Sequence, residues 1–206
     1  VAERAIAEAS SSGIDFFALD WWPTRPEQNR RIDTGFLRAP NLSSMRFAIF
    51  YETGDLGAPV PYQSITELTP AARAHLVADM VQLARTYFAN PQYLRIGGRP
   101  VVFWYVTRTL TGDVAAAVQE VRSALRSLGF DLFIVGDEIS WRVTSEAGVG
   151  TTDPQPERAR LFDASTTPRI RSRGATARRR PSSPMPLALP RPTGTPSVMR
   201  SPSCLT

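Results

Sequence analysis

Arg46-Phe47-Ala48-Ile49-Phe50-Tyr51-Glu52 is the stretch on which the fold turns. Apolar and β-prone residues run without a break into a carboxylate, and Thr53-Gly54-Asp55 then interrupts the run. A short continuous apolar run bounded by turn residues suits a strand buried on both faces, as in a parallel sheet. A carboxylate at the end of such a strand has left the core and stands where the chain leaves the sheet. α/β folds place their ligands at that edge. This segment alone leaves Glu52 two readings: an acid facing a ligand, or the first residue of a solvated loop.

The flanking sequence repeats the pattern. Ile14 to Trp22 is a second apolar strand, ending in Asp20-Trp21-Trp22 just before Pro23. Pro100 to Val106 is a third, entered from the short Tyr93-Leu94-Arg95-Ile96 through a tight Gly97-Gly98-Arg99 turn. Asp131 to Glu138 is a fourth, ending in the carboxylates Asp137-Glu138. Between them lie two amphipathic helices. Thr69-Pro70 supplies a cap followed by proline at the first helical position. Leu76, Met80, Leu83, Ala84, Tyr87 and Phe88 then recur at helical spacing, up to Asn90-Pro91. Thr111-Gly112-Asp113 starts the next helix, whose expected buried stripe is Val114, Val118, Val121, Leu125 and Leu128, closed by Gly129.

Apolar strands alternating with amphipathic helices are the signature of a parallel α/β fold. A dinucleotide-binding sheet needs a glycine-rich phosphate loop after its first strand. Trp21-Trp22-Pro23 occupies that place and is bulky and rigid. The pattern instead fits a (β/α)8 TIM-type barrel, with a site built from strand C-termini, of which about the first half is present.

Elsewhere the signals are weaker. Val1 to Ser10 reads as the end of an amphipathic helix with Val1, Ala5, Ile6 and Ala9 on one side, stopped by Ser11-Ser12-Gly13. The Arg/Asn/Pro-rich stretch after Pro23 reads as loop, with a short helix near Gly35 to Arg38. Thr53 to Leu68 reads as a long loop, of the kind that is usually functional. Pro156 to Arg160 reads as a short helix, and Leu161-Phe162-Asp163 as the opening of a fifth strand. His75 shares the polar side of its helix with Asp79 and Gln82 and reads as solvated.

All 24 basic residues are arginine, and the formal charge is +5. Eight of those arginines follow Asp163, with no acid among them. Residues 1–163 carry 16 arginines against 19 acids, so that part is mildly acidic and its charge gives no reason to expect nucleic-acid binding. One cysteine, Cys204, and one histidine exclude an internal disulfide and a Cys/His zinc cluster. No metal or cofactor is expected, and no apolar run is long enough for a membrane-spanning helix.

From residue 164 the texture changes. Arg178-Arg179-Arg180 and eight prolines among the last 39 residues leave no periodicity, so residues 164–206 are expected to be a disordered Arg/Pro/Ser-rich tail. The change falls inside an apparent strand and reads as a frame change near residues 164–168. Val1 opens mid-helix, so the natural N-terminus, with any signal, is expected upstream.

Several segments together resemble the glycoside hydrolase family 99-like group, which includes endo-α-mannosidases. Ser12 to Pro23 is similar to the family's first strand and its Trp-rich turn. Phe47 to Glu52 is similar to the strand that ends in a His-Ile-Glu-Pro motif. Asn90-Pro91-Gln92-Tyr93-Leu94-Arg95 followed by Gly98-Arg99-Pro100 carries the most specific part of the likeness. Phe50 stands where the family has histidine, and Thr53 where it has proline.

The resemblance spans about residues 12–163 and implies a partial glycoside-hydrolase-like barrel over 1–163. It further implies a retaining endo-α-mannosidase-like activity on α-linked glycans through a 1,2-anhydrosugar. An oligosaccharide or polysaccharide is the implied partner, and a secreted or cell-envelope location is implied. The family's catalytic Asn-Glu-Trp-x-Glu-type motif is not found here. No catalytic residue is therefore assigned, and the chain is expected to be inactive as it stands. Glu52 matches a substrate-contacting position.

The expected substrate-binding set is Asp20, Trp21, Trp22, Glu52, Tyr105, Asp137 and Glu138. The acids would accept hydrogen bonds from sugar hydroxyls, and the aromatic rings would stack on C–H faces. Of the adjacent pairs Trp21/Trp22 and Trp104/Tyr105, one member each is expected in the core. Asp137-Glu138 reads slightly better as a loop start. The alternative function is a non-catalytic carbohydrate-binding or glycan-assembly protein on the same scaffold.

Overall fold

A computed structural model describes residues 1–56, 66–138 and 156–166, all within one compact unit that ends at Ile170. In chain order the elements are α1 (Ala2–Ser11), β1 (Phe16–Trp21), α2 (Pro26–Thr34), β2 (Arg46–Tyr51), β3 (Thr66–Leu68), α3 (Pro70–Leu83), β4 (Arg95–Ile96), β5 (Arg99–Trp104), β6 (Leu110–Gly112), α4 (Val114–Arg126), β7 (Phe133–Gly136), α5 (Pro156–Ala159) and β8 (Ala164–Ser165).

The main sheet runs β1-β2-β5-β7-β8 with every neighbour parallel. Each strand lies beside the one before it, and the order never reverses among the described strands. A doubly wound sheet reverses at its ligand crevice. Continuous winding in one direction is the topology of a (β/α)8 barrel, and the protein is a partial barrel of that type. The antiparallel β4 adds to β5 as a hairpin. Gly97 and Gly98, at φ +58° and +80°, make its tight turn, a conformation open to glycine at little cost. A small parallel pair, β3 with β6, sits just ahead of α3 and α4.

Strand alternation sends one set of side chains to the helices and the other to the concave face. Phe47, Ile49, Tyr51, Val102, Trp104 and Ile134 pack in the main core with Leu76, Met80 and Leu83 of α3 and Val114, Ala117, Val118, Val121 and Leu125 of α4. On the other face Phe16 stacks on Phe103, and Phe50 on Phe103, at centroid separations of 6.0 and 6.1 Å. These three rings are half-buried, and Ala18 beside them is exposed.

Gly136 is fixed by packing. A Cβ there would stand 2.4 Å from the Phe162 ring, which lies edge-on to Trp104 at 5.9 Å. Asp163 completes the joint by accepting the Ile134 N–H at 2.9 Å and Arg122 at 2.7 Å.

Thr69 and Asp113 cap α3 and α4 as expected, accepting from the N–H of Ala72 and of Ala116. α3 runs on into one π-turn, Ala84–Phe88, which buries Ala84, Tyr87 and Phe88.

Other expectations are corrected. Residues 26–34, read as loop, form α2, while the turn near 35–38 is the 3-10 segment Phe36–Arg38. α2 buries only Ile32, so it lacks the apolar stripe by which helices are recognised. The expected long loop 53–68 holds a 3-10 turn, Thr53–Asp55, and strand β3, with 57–65 outside the described residues. In α1 only Ile6 and Ala9 are buried; Val1 and Ala5 face out. Leu128 lies past the end of α4 and is 36% exposed. The fifth strand forms at Ala164–Ser165, just beyond Leu161-Phe162-Asp163. Most of the expected tail, 167–206, lies outside the described residues. No described helix is long and apolar enough to cross a membrane.

Candidate functional site

The register of the sheet assembles the site. Trp21, Tyr51, Trp104 and Gly136 form one row across four strands. The next row is carried by backbone bonds from Glu52 N–H to Trp21 O at 3.0 Å, Tyr105 N–H to Tyr51 O at 2.9 Å and Asp137 N–H to Trp104 O at 2.9 Å. Glu52, Tyr105 and Asp137 therefore stand side by side at the C-terminal rim, two residues beyond Phe50, Phe103 and Val135 on the concave face. Asp20 shares the lower row with Phe50. Phe50 packs on Tyr105 at 5.2 Å, joining the rim to the ring ladder below it.

The aromatic pairs divide as expected. Trp21 is 3% exposed and stacks on Tyr51 at 5.6 Å, so its place in the expected sugar-binding set is corrected to the core. Trp22 is half-buried, and its indole Nε1 donates to Asp20 Oδ2 at 2.7 Å. Asn29 of α2 pins the Trp22 backbone from both sides, accepting its N–H at 2.9 Å and donating to its carbonyl at 2.7 Å. The Arg25 guanidinium lies over the Trp22 ring, 3.9 Å from its centroid. Trp104 is fully buried, and Tyr105 is half-buried.

The carboxyls differ sharply. Glu52 is 7% exposed and shares a hydrogen bond with the exposed Asp20. Burial, that hydrogen bond and the charges of Asp20 and Asp55 push its pKa up to about 8, against the opposing pull of Arg25. Asp55, in the turn after Glu52, accepts the Thr24 N–H at 3.1 Å and the Thr24 hydroxyl.

Burial also raises the Asp137 carboxyl, which accepts from the Thr166 hydroxyl and from the Val106 N–H. Glu138 is 1% exposed and holds Arg158 with both oxygens, at 2.9 and 2.8 Å, while Thr107 donates to it at 2.9 Å. Its oxygens are spent inside the protein.

Behind the rim, Tyr51 donates to Asp79 at 2.7 Å. Asp79 is buried, which corrects its expected place on a solvated helix face; His75, 3.7 Å away, remains exposed. Val106 adopts a left-handed φ of 46°, unusual for a β-branched residue, at the point where the chain leaves the rim.

Sequence reasoning missed Asn29, Thr24, Arg25 and Asp55 as parts of this site. The first three sit in or before a helix without an apolar stripe. Their one local signal was Pro26 at a first helical position.

No family model and no curated protein matches the chain. A solved structure described as a "Glycoside hydrolase-like protein" is similar to it, with a TM-score of 0.54 and 22% sequence identity, covering 68% of this chain and 44% of that one. The likeness shows a shared glycoside-hydrolase-like fold, and the chain spans less than half the length of the structure it matches.

Proposed function

We propose that the rim formed by Asp20, Trp22, Glu52 and Tyr105 binds an oligosaccharide or polysaccharide. The observation that carries the reading is the Asp20–Glu52 pair set beside the rings of Trp22 and Tyr105 at the C-terminal edge of a glycoside-hydrolase-like scaffold. Sugars are recognised by such a combination: planar rings take C–H faces, and carboxyl oxygens take hydroxyl protons. Asp137 lies next in the same row and extends the surface. Glu138, the next residue along the chain, accepts from Arg158 and Thr107 instead.

The finer reading is an endo-α-mannosidase-like protein of the glycoside hydrolase family 99-like group, acting with retention on α-linked glycans. The order of the similar segments supports it. Glycoside hydrolysis needs two carboxyls flanking the scissile bond. Asp20 and Glu52 stand at the adjacent ends of the neighbouring strands β1 and β2, on one side of the rim. In this reading they position the sugar, and bond cleavage belongs to carboxylates outside residues 1–163, which form the barrel part. The second reading, a non-catalytic carbohydrate-binding protein, draws on the same placement of the two acids.

Calorimetric titration with manno-oligosaccharides tests binding. The wild type is expected to bind, and Trp22→Ala to weaken binding by about tenfold, the scale of one lost aromatic contact. A folded wild type that binds no oligosaccharide would refute the reading. Release of a chromogenic leaving group from an aryl α-mannoside separates the hydrolytic reading from the binding one.

A further inference from the structure

β1 stands at one end of the main sheet, with no strand on its outer side among the described strands. In a parallel strand the backbone groups of successive residues point to alternate neighbours. Asp15 and Trp21 turn theirs toward β2, where their carbonyls accept from the N–H groups of Arg46 and Glu52. Trp22, next in the alternation, turns its N–H and carbonyl to the outer edge. There the Asn29 side chain meets both, accepting the N–H at 2.9 Å and donating to the carbonyl at 2.7 Å. One amide thus takes the place of an adjoining strand for one residue, and neither backbone group is left without a partner.

The ring of Trp22 carries two further restraints. Its Nε1 donates to Asp20 Oδ2 at 2.7 Å, and the Arg25 guanidinium covers one face, 3.9 Å from the ring centroid. Asp20 holds the edge of the indole, Arg25 its tilt, and Asn29 the backbone from which it springs. A side chain already held gives up little freedom when a ligand stacks on it. α2 gives only Ile32 to the core, and its tie to the rim is the Asn29 amide.

We infer that Asn29 is a positioning residue of the sugar site: it holds Trp22 as a preset platform, whose face opposite Arg25 takes the sugar ring. The inference rests on the carbohydrate reading and names the residue that sets its aromatic contact. Asn29 touches no sugar and acts through Trp22.

Fluorine NMR of the whole chain labelled with 5-fluorotryptophan reads the ring directly. The Trp22 signal is the one lost in Trp22→Phe, and the buried Trp104 reports on the fold in the same spectrum. Asn29→Ala is expected to move the Trp22 signal toward its unfolded position and to leave Trp104 in place. A Trp22 signal that stays put overturns the inference whatever the sugars do. If Trp104 moves as well, the chain has lost its fold. Asn29→Asp, which keeps the acceptor for the Trp22 N–H, then replaces Asn29→Ala throughout.

Manno-oligosaccharide titration supplies the second measurement. Asn29→Ala is expected to weaken binding by about three- to tenfold, the scale of one side chain that must be immobilised anew. Because Asn29 acts through Trp22, Asn29→Ala with Trp22→Ala is expected to bind as weakly as Trp22→Ala alone. Unchanged affinity in Asn29→Ala, or losses that add in the double variant, overturn the inference and leave the carbohydrate reading standing. A folded wild type that binds no oligosaccharide overturns both.

Discussion

Glu52 shows how a strand end converts sequence into chemistry. Its carboxyl holds a proton up to about pH 8 in the folded chain, against an ordinary value of 4.5. Between those values the folded state binds more protons than the unfolded state. Stability therefore falls as pH rises from about 4.5 to about 8, and Glu52 adds no slope below that window. The melting temperature is expected to drop across it by on the order of 5 °C, and Glu52→Gln to remove much of that drop. Burial also raises Asp79 and Asp137, and each adds a decline of the same sign. A melting temperature that rises across the window would refute the assignment of a buried, protonated Glu52.

Tyr51, one residue earlier, faces the other way. Tyr51→Phe would strip Asp79 of its buried donor and is expected to cost about 1–3 kcal/mol in denaturant unfolding.

At the scale of elements, the strands and the two long helices were legible because burial on both faces and helical spacing both write themselves into composition. Phe47 to Tyr51 and the α3 stripe are examples. What stayed hidden has physical reasons. α2 buries one residue and leaves no periodic trace, so the Asn29 clamp on Trp22 could not be anticipated. Asp79 sits at a polar-looking position, and only the tyrosine on the facing strand explains its burial. Glu138 reads as a loop acid until Arg158, twenty residues on, closes over it.

The joint between β7 and β8 gives a sharper prediction at this scale. Gly136→Ala forces a methyl into the Phe162 ring and is expected to cost about 1–3 kcal/mol. Phe162→Ala in the same background should make the two losses non-additive, because the clash disappears with the ring. Additive losses in a double-mutant cycle would count against this packing.

At the scale of the whole molecule, every long-strand pairing in the main sheet is parallel, so each needs a crossover before it can form. The concave face carries half-buried rings at Phe16, Phe50 and Phe103. Such a surface is expected to bind the dye ANS, with emission that decreases when Phe50 or Phe103 is replaced by serine. Unchanged emission in both variants would place the dye elsewhere.

The ring seated on Gly136 carries one more consequence. Phe162 reaches Trp104, a fully buried indole, from a segment that returns to the sheet only after residues 139–155. Trp104 is thus a built-in optical gauge of whether residues 156–166 have docked. In a variant whose other three tryptophans are replaced by phenylalanine, its emission can time the closing of that strand pairing in a refolding experiment, without any label added to the chain.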